Sequence, residues 1–197
     1  HLPFIDEASL ACSYACACVA LHLGITPEAL NERMSTLDPV AMRLEVKEGQ
    51  RGCTIINDTY NSDVNSIDIA LDFMNRRPDS MQGRRTVILS DIFQSGITPQ
   101  QLYSEVSALM VKRGITTSIG IGAAISEQRD TIDVGEKYFF DTVEQFVQSQ
   151  AFATLHDEVI LVKGSRVFGF DRLTEQLEKK VHETILEVDL NAVVDNL

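Results

Sequence analysis

Apolar and polar positions along the chain follow two spacings in turn, one typical of strands and one typical of helices. Six segments have the alternating or continuously apolar pattern of a strand. The predicted strands cover residues 42–49 (MRLEVKEG), 53–58 (CTIIND), 85–91 (RTVILSD), 117–122 (TSIGIG), 137–140 (KYFF) and 157–164 (DEVILVKG). The first alternates strictly, as a half-exposed strand does, whereas most of the others are largely apolar.

Helical spacing fills most intervals between these strands. The predicted helices cover residues 64–77, 98–114, 142–150 and 172–181. Apolar strands separated by helices require crossover connections, which produce a parallel sheet covered on both faces. We therefore predict an α/β protein with a Rossmann-like, doubly wound and mostly parallel sheet, in which residues 42–49 form an edge strand.

A short α-helical segment is predicted before the first strand. Residues 8–24 (ASLACSYACACVALHLG) are apolar on nearly all sides. They are fewer than the roughly 20 residues of a membrane span, so we predict a buried core helix and no membrane insertion. A second helix is predicted from Pro27, with Thr26 as its N-cap. The break at Pro39 indicates a boundary between the helical residues 1–38 and the strands that follow.

Charge and cysteine content narrow the classes of function. The formal net charge of -12 argues against nucleic acid as a partner, because a phosphate backbone needs a basic surface. Cys12 and Cys16 would share one helix face, but no histidine or second cysteine pair stands at the spacing of a zinc site. We therefore expect no metal site and predict small buried thiols in a reduced, cytoplasmic protein.

Three polar segments follow predicted strands, at the edge of the sheet where parallel α/β proteins bind ligands. They are residues 57–66 (NDTYNSDVNS), 90–96 (SDIFQSG) and 163–170 (KGSRVFGF). In the first segment, Asp63 or Ser66 can cap the helix that follows. Asp58 can accept hydrogen bonds from sugar hydroxyls and Tyr60 can pack against a ring, although an ordinary capped loop accounts for the same residues.

The third polar segment concentrates positive charge in an acidic chain. Lys163 and Arg166 flank Gly164 and Ser165, and an arginine can hold a carboxylate or a phosphate through two hydrogen bonds. A surface turn with solvated cations is the alternative interpretation. The chain contains no Gly-x-x-x-x-Gly-Lys phosphate loop and no arguable Ser–His–Asp arrangement, so we assign no catalytic residue to it.

Four stretches together resemble the Mur ligase family, the ATP-dependent enzymes that build the peptidoglycan stem peptide. They are residues 40–49 (VAMRLEVKEG), 55–66 (IINDTYNSDVNS), 87–96 (VILSDIFQSG) and 159–166 (VILVKGSR), in the family's order and approximate spacing. Residues 2–34 resemble the last helices of the family's central ATPase domain. The tail, residues 183–197 (ETILEVDLNAVVDNL), resembles the start of an alanine racemase domain, as in a ligase–racemase fusion. The two resemblances imply three parts: residues 1–38 end the central domain, residues 39–180 form the C-terminal domain, and residues 181–197 are a linker and the start of the racemase domain.

The resemblance implies roles for seven residues in two groups. The nucleotide-binding group, which would face the adenosine part of ATP, is Arg43, Asp58, Tyr60 and Asn61. The substrate-binding group, which would lie near the incoming dipeptide or the phosphates, is Lys163, Ser165 and Arg166. The chain also departs from the family pattern. Ser62, Asp63 and Val64 stand where the family tends to have Ala, Asn and Pro, and Ser90 replaces a glycine.

The implied reaction joins D-alanyl-D-alanine to UDP-N-acetylmuramoyl-tripeptide through an acyl phosphate, with ATP and Mg²⁺. Such an enzyme would act in the cytoplasm, in cell-wall synthesis, cell shape and cell division. The resemblance places the phosphate loop upstream of residue 1, and pyridoxal phosphate only in a racemase domain after residue 197. We therefore expect this chain by itself to be inactive and to need its central domain as a partner.

Two other interpretations of the sequence remain at this point. One is a folylpolyglutamate synthetase-like ligase domain, which shares the architecture. The other is a non-catalytic binding module of flavodoxin-like shape, in which VILSD resembles a receiver strand. That module would need a clustered acidic pocket for Mg²⁺, for which the sequence offers Asp58 and Asp91.

Overall fold

Six strands form one sheet, in the order β1-β2-β6-β3-β4-β5. The computed structural model describes residues 2, 7–37, 43–60, 62–77, 83–93 and 96–179, with only the main chain of residues 7, 8 and 166. The strands are β1 (Glu45–Glu48), β2 (Thr54–Asp58), β3 (Arg84–Ser90), β4 (Thr117–Ile121), β5 (Glu136–Phe140) and β6 (Glu158–Lys163). All six predicted strands are therefore present.

The pairing of the strands confirms the predicted sheet. β2, β6, β3, β4 and β5 pair in parallel, and β1 alone among the described strands pairs antiparallel, with β2. The predicted edge position of β1 is thus confirmed, and its side chains alternate between half-buried and exposed. The central strands β2, β3, β4 and β6 are buried over most of their length, because helices cover both faces.

Eight α-helices occur in the described part of the chain. They are α1 (Glu7–His22), α2 (Pro27–Ser35), α3 (Val64–Asn75), α4 (Pro99–Lys112), α5 (Ala123–Glu127), α6 (Val143–Val147), α7 (Gln150–Ala153) and α8 (Phe170–Leu177). The predicted helices at residues 64–77 and 98–114 are confirmed, and the predicted helix at 142–150 is two short helices, α6 and α7. Helix α5 was not predicted.

Alternate residues of the strands face two apolar layers. One layer packs Ile56, Val87 and Leu161 against α3 and α4. The other packs Ile55, Ile88 and Ile160 against α6 and α8. Local caps begin the helices: Asp63 and Ser66 form a reciprocal capping box at α3, as the sequence predicts for this junction, and Thr26 caps α2.

The predictions for the first helix and its cysteines are wrong for the residues described. α1 packs on α2, but Cys12, Cys16 and Cys18 are exposed, and only Cys53 is buried among the four thiols. A helix that is apolar on all sides cannot be covered by one short neighbour, which explains the exposure. Among the described residues, no helix is long and apolar enough to cross a membrane.

Candidate functional site

The carboxyl ends of three neighbouring strands carry polar residues that the sheet brings side by side. β2 ends at Asp58, β6 at Lys163 and β3 at Ser90. In the parallel register Asp58 lies opposite Lys163, which in turn lies opposite Leu89, the residue before Ser90. Residues that are far apart in the sequence therefore meet at one edge, which is the ligand-binding edge of such sheets.

Asp58 and Lys163 form a buried ion pair. The Lys163 Nζ lies 2.9 Å from Asp58 Oδ2, and the two side chains are 1% and 12% exposed, respectively. Burial raises the pKa of the Asp58 carboxyl above its ordinary value, while the Lys163 ammonium and the Leu44 N–H favour the ionised form and partly offset that rise. The pair joins the turn after β2 to the turn after β6.

Ser90 connects β3 to the turn after β6. Its fully buried hydroxyl accepts a hydrogen bond from the Ser165 N–H at 3.0 Å and donates to the Asp91 carbonyl at 3.1 Å. The paired residues of β3 and β6 end at Leu89 and Lys163. The Ser90 hydroxyl therefore continues the contact between the two strands beyond the end of their ladder.

Asp91, the residue after Ser90, contacts the start of helix α5. Its carboxylate accepts from the N–H groups of Ala124 at 3.1 Å and of Ile125 at 2.8 Å. These N–H groups lie in the first turn of a helix and have no partner within it, so Asp91 caps α5 from the loop after β3. Gly122 makes this approach possible, because a Cβ there would lie 2.5 Å from the Asp91 carboxylate.

Tyr103 holds the loop that follows Asp91. The Ile92 N–H donates to the Tyr103 hydroxyl at 3.3 Å, and this tyrosine from α4 is almost fully buried. Burial raises the pKa of Tyr103 to about 12, so the hydroxyl stays protonated at neutral pH. A buried side chain of the core therefore fixes the position of the loop after β3.

Five residues thus form one continuous row across the carboxyl edge. We call the row the strand-end network; its members are Asp58, Lys163, Ser165, Ser90 and Asp91. It connects β2, β6, β3 and α5 through largely buried polar contacts. Buried polar groups that are hydrogen-bonded in this way hold loops in one arrangement, as a ligand-binding surface requires.

Two exposed side chains flank the network on the side of β1. The Arg43 guanidinium lies 4.3 Å from the centroid of the Tyr60 ring, and the Tyr60 side chain is 46% exposed. Both groups lie beside Asp58, because Glu45 of β1 pairs with Asn57 of β2. The guanidinium covers one face of this half-exposed ring, and together they suit a ligand that combines an aromatic ring with negative charge, such as a nucleotide.

An exposed aromatic surface lies on the other side of the turn after β6. The rings of Phe93 and Phe168 stack with centroids 5.7 Å apart. Phe93 and Val167 are among the more exposed large apolar residues, at 53% and 82%. The Phe168 N–H donates to the Ser165 carbonyl at 3.0 Å, so a backbone hydrogen bond connects this apolar surface to the turn.

The structure brings most of the predicted site residues to one edge. Arg43, Asp58 and Tyr60 lie together at the end of β2, and Lys163 and Ser165 lie on the adjacent strand end. Asn61 and the side chain of Arg166 lie outside the described residues. In this conformation the Lys163 ammonium contacts Asp58 and is not open to solvent. The roles predicted for all seven residues remain predictions.

The sequence did not predict the contacts of Ser90 with the turn after β6 or of Asp91 with helix α5. Ser90 stood out only as a departure from a glycine, and Asp91 only as one half of an acidic pocket. Because Asp91 caps α5 and Asp58 pairs with Lys163, these two carboxylates do not form the shared pocket that a receiver-like module needs. Within the described ranges, no three His, Cys, Asp or Glu residues are grouped so as to hold a metal ion.

The sequence matches one protein family over residues 42–166, described as "Mur ligase, glutamate ligase domain". It is 24% identical over 186 residues to a UDP-N-acetylmuramoyl-tripeptide--D-alanyl-D-alanine ligase of Buchnera aphidicola, which covers 92% of this chain and 39% of that protein. The Escherichia coli protein of the same name is 22% identical over 179 residues, with coverages of 90% and 38%. The chain thus spans less than half the length of these curated relatives.

The fold also matches solved structures. A MurF ligase from Thermotoga maritima in complex with ADP aligns with a TM-score of 0.68 at 20% identity, over 88% of this chain and 38% of that one. A MurF from Acinetobacter baumannii aligns with a TM-score of 0.69 at 19% identity, over 90% and 39%. At these identities the likeness establishes the fold, which agrees with the predicted Rossmann-like α/β class.

Proposed function

This chain belongs to the Mur ligase family, and from that premise we propose that it is the C-terminal part of a UDP-N-acetylmuramoyl-tripeptide–D-alanyl-D-alanine ligase. Curated relatives of that name align with about nine tenths of the chain. The observation that carries the proposal is the strand-end network, which joins the two turns that resemble the family's motifs through the contact between Asp58 and Lys163. Within the described ranges, no feature favours the folylpolyglutamate synthetase-like alternative.

The proposed reaction has two steps. The terminal carboxylate of the tripeptide attacks the γ-phosphorus of ATP, which forms an acyl phosphate and releases ADP. The amine of D-alanyl-D-alanine then attacks the acyl carbon, forms the amide bond and expels inorganic phosphate. The amine gives up a proton in this step. Both steps develop negative charge on oxygen atoms, which nearby cations and N–H groups stabilise.

Two parts of the carboxyl edge divide the work in this proposal. Arg43 and Tyr60, which lie beside Asp58, bind the nucleotide, and Asn61 is assigned to the same group from the family resemblance alone. Their fit rests on an accessible ring that stands next to a guanidinium. Ser165 and Arg166 face the dipeptide or the phosphates. Lys163 supports Ser165 and Arg166 indirectly, because its ammonium pairs with Asp58 at 2.9 Å and so holds the ends of β2 and β6 together.

Mg²⁺ belongs to this proposal through the family alone. Bound to the phosphates of ATP, it would neutralise part of their charge. The described residues of this chain hold no group of ligands for it, so we assign none of its ligands here. The catalytic residues and the phosphate loop are likewise proposed to lie in the central domain, against which this domain closes to exclude water.

An assay of ligation tests the proposed function directly. The full-length protein, given ATP, UDP-N-acetylmuramoyl-tripeptide and D-alanyl-D-alanine, is expected to release ADP and form the pentapeptide product. The 197-residue chain alone is expected to form none. Absence of product with the full-length protein, or clear turnover by this chain alone, would contradict the proposal.

Finer parts of the proposal rest on the sequence. The likeness of residues 183–197 to an alanine racemase supports a fusion in which pyridoxal phosphate binds only the downstream domain. A cytoplasmic location and a role in cell shape and cell division follow from the proposed substrates. Reading the gene on both sides tests the fusion, since a phosphate loop upstream and a racemase lysine downstream are expected.

A further inference from the structure

Ser90 occupies a position where its side chain controls the backbone of a proposed substrate-binding turn. It is the last residue of β3 and is fully buried. Its hydroxyl accepts a hydrogen bond from the Ser165 N–H at 3.0 Å. The ladder between β3 and β6 ends at Lys163, so this contact lies beyond it, after Gly164. A glycine at position 90, as the family pattern has, would offer no side-chain acceptor to this N–H.

Two further contacts hold the main chain around Ser165. Gly164 packs against Phe170 so closely that a Cβ would lie 2.5 Å from the ring, which limits movement on that side. On the other side the Phe168 N–H binds the Ser165 carbonyl at 3.0 Å. With its N–H held by Ser90 and its carbonyl held by Phe168, Ser165 has both backbone groups paired in a part of the chain outside any strand.

The surroundings of the turn favour the dipeptide over the phosphates as its ligand. Val167 and Phe93, which stacks on the half-buried Phe168, expose apolar surface near this turn. Such a surface suits the methyl groups of alanyl residues and offers no hydrogen bond to a phosphate. The accessible Tyr60 ring and the Arg43 guanidinium lie at the other end of the network, beside β1. The edge therefore separates a side suited to a nucleotide from a side suited to a small apolar peptide.

We propose that Ser90 is a positioning residue that sets the Gly164–Arg166 turn for binding of the D-alanyl-D-alanine acceptor. Ser90 does not contact the dipeptide in this proposal, because its side chain is buried. It acts through the Ser165 N–H, and so through the direction in which Ser165 and the main chain of Arg166 meet the ligand. The proposal rests on the proposed function, since it assumes that the acceptor is this dipeptide.

The test compares Ser90→Ala with a matched control in the full-length protein. Ser118 of β4 is also fully buried, but its hydroxyl has no hydrogen-bond partner among the described residues. Ser118→Ala therefore removes a buried hydroxyl but breaks no hydrogen bond. Ser90→Ala is expected to raise the KM for D-alanyl-D-alanine about tenfold, because one hydrogen bond that positions the turn is lost. The KM values for ATP and for the tripeptide, and the kcat, are expected to stay within about twofold of those of the unaltered protein. Ser118→Ala is expected to change none of them.

Hydrogen exchange reports on the contact independently of activity. The Ser165 amide is expected to exchange faster in Ser90→Ala than in the unaltered protein or in Ser118→Ala, because its acceptor is gone. Ser90→Cys provides a second variant, since a thiol keeps the shape of the side chain but is a weak acceptor. It is expected to shift the dipeptide KM and the exchange rate in the same direction.

The outcomes separate this inference from the proposed function. If the unaltered protein ligates but both Ser90 variants keep its KM for the dipeptide, the positioning role is wrong and the function stands. A rise in the KM for ATP alone would also overturn the inference, since the turn would then serve the nucleotide. If the unaltered full-length protein does not ligate D-alanyl-D-alanine at all, the proposed function fails and this inference fails with it.

Discussion

The two edges of the same sheet are held together in different ways. At the carboxyl edge the contacts of the strand-end network are buried, and the Lys163 side chain is only 1% exposed. At the amino edge the described ion pairs are more exposed: Lys47 and Glu178 are about a third exposed, Arg84 and Glu136 about half, and Lys179 and Glu48 more still. Exposed pairs contribute little, whereas a buried charge depends strongly on its partner. The edge that we propose to bind ligands is thus the edge that contains the most deeply buried ion pair among the described residues.

The largest effect is expected from Asp58→Asn, which removes the carboxylate from beside a buried ammonium. We expect the free energy of unfolding to fall by about 3–5 kcal/mol, the usual cost of leaving one partner of a buried pair. Urea denaturation of the 197-residue chain measures it. Lys163→Met is expected to cost less, because the remaining carboxyl is more exposed and can take up a proton. Equal and small losses in both variants would show that the pair is not a structural link.

A somewhat smaller loss is expected from Gly122→Ala. The new Cβ would lie 2.5 Å from the Asp91 carboxylate at a residue with φ +133°, so Asp91 must move away from the α5 N–H groups. We expect the free energy of unfolding to fall by about 2–3 kcal/mol. Gly169→Ala is the control, since Gly169 also has positive φ but has no atom within 4 Å of the added Cβ. A control loss as large as that of Gly122→Ala would assign the effect to backbone conformation alone.

Tyr60→Ala tests the nucleotide side of the carboxyl edge. Loss of the exposed ring is expected to weaken ATP binding to the full-length protein about fivefold, as for one aromatic contact, and to leave stability nearly unchanged. Isothermal titration with a non-hydrolysable ATP analogue measures this. Tyr138→Ala is the matched control, because that tyrosine lies on β5 at the far side of the sheet and is 40% exposed against 46% for Tyr60. Equal affinities for both variants would remove Tyr60 from the proposed site.

The smallest effect is expected at the amino edge, from Glu136→Gln. This change removes the same kind of charge as Asp58→Asn, but from a pair whose side chains are 48% and 50% exposed. We expect less than about 0.5 kcal/mol of lost stability, and less again at high salt. A loss comparable to that of Asp58→Asn would remove the distinction between the two edges.

Local sequence patterns predicted the elements of this fold better than the contacts among them. The strands, the β1 edge position and the cap of α3 follow from spacing and from residues within one turn. Helix α5 was missed because it is short and its cap is Asp91, which lies far away in the sequence, in the loop after β3. The burial of α1 was predicted wrongly because apolar spacing indicates that a helix needs partners but not whether they are present.

The candidate site shows the same division. Sequence reasoning selected Asp58 and Lys163 separately, each as a group that reaches toward a ligand. Only the strand order, in which β6 lies between β2 and β3, shows that they reach toward each other. The hydroxyl of Ser90 gave no local signal, since its partner Ser165 is positioned by the same strand order.

Hydrogen exchange of the full-length protein, with and without substrates, tests the central claim most directly. With a non-hydrolysable ATP analogue, UDP-N-acetylmuramoyl-tripeptide and D-alanyl-D-alanine bound, we expect slower exchange in peptides that contain Tyr60 and Ser165. Peptides from the amino edge, which contain Asp157 or Glu136, are expected to exchange unchanged. Protection at the amino edge, or none at the carboxyl edge, would contradict the claim that the strand-end network supports the substrate-binding wall.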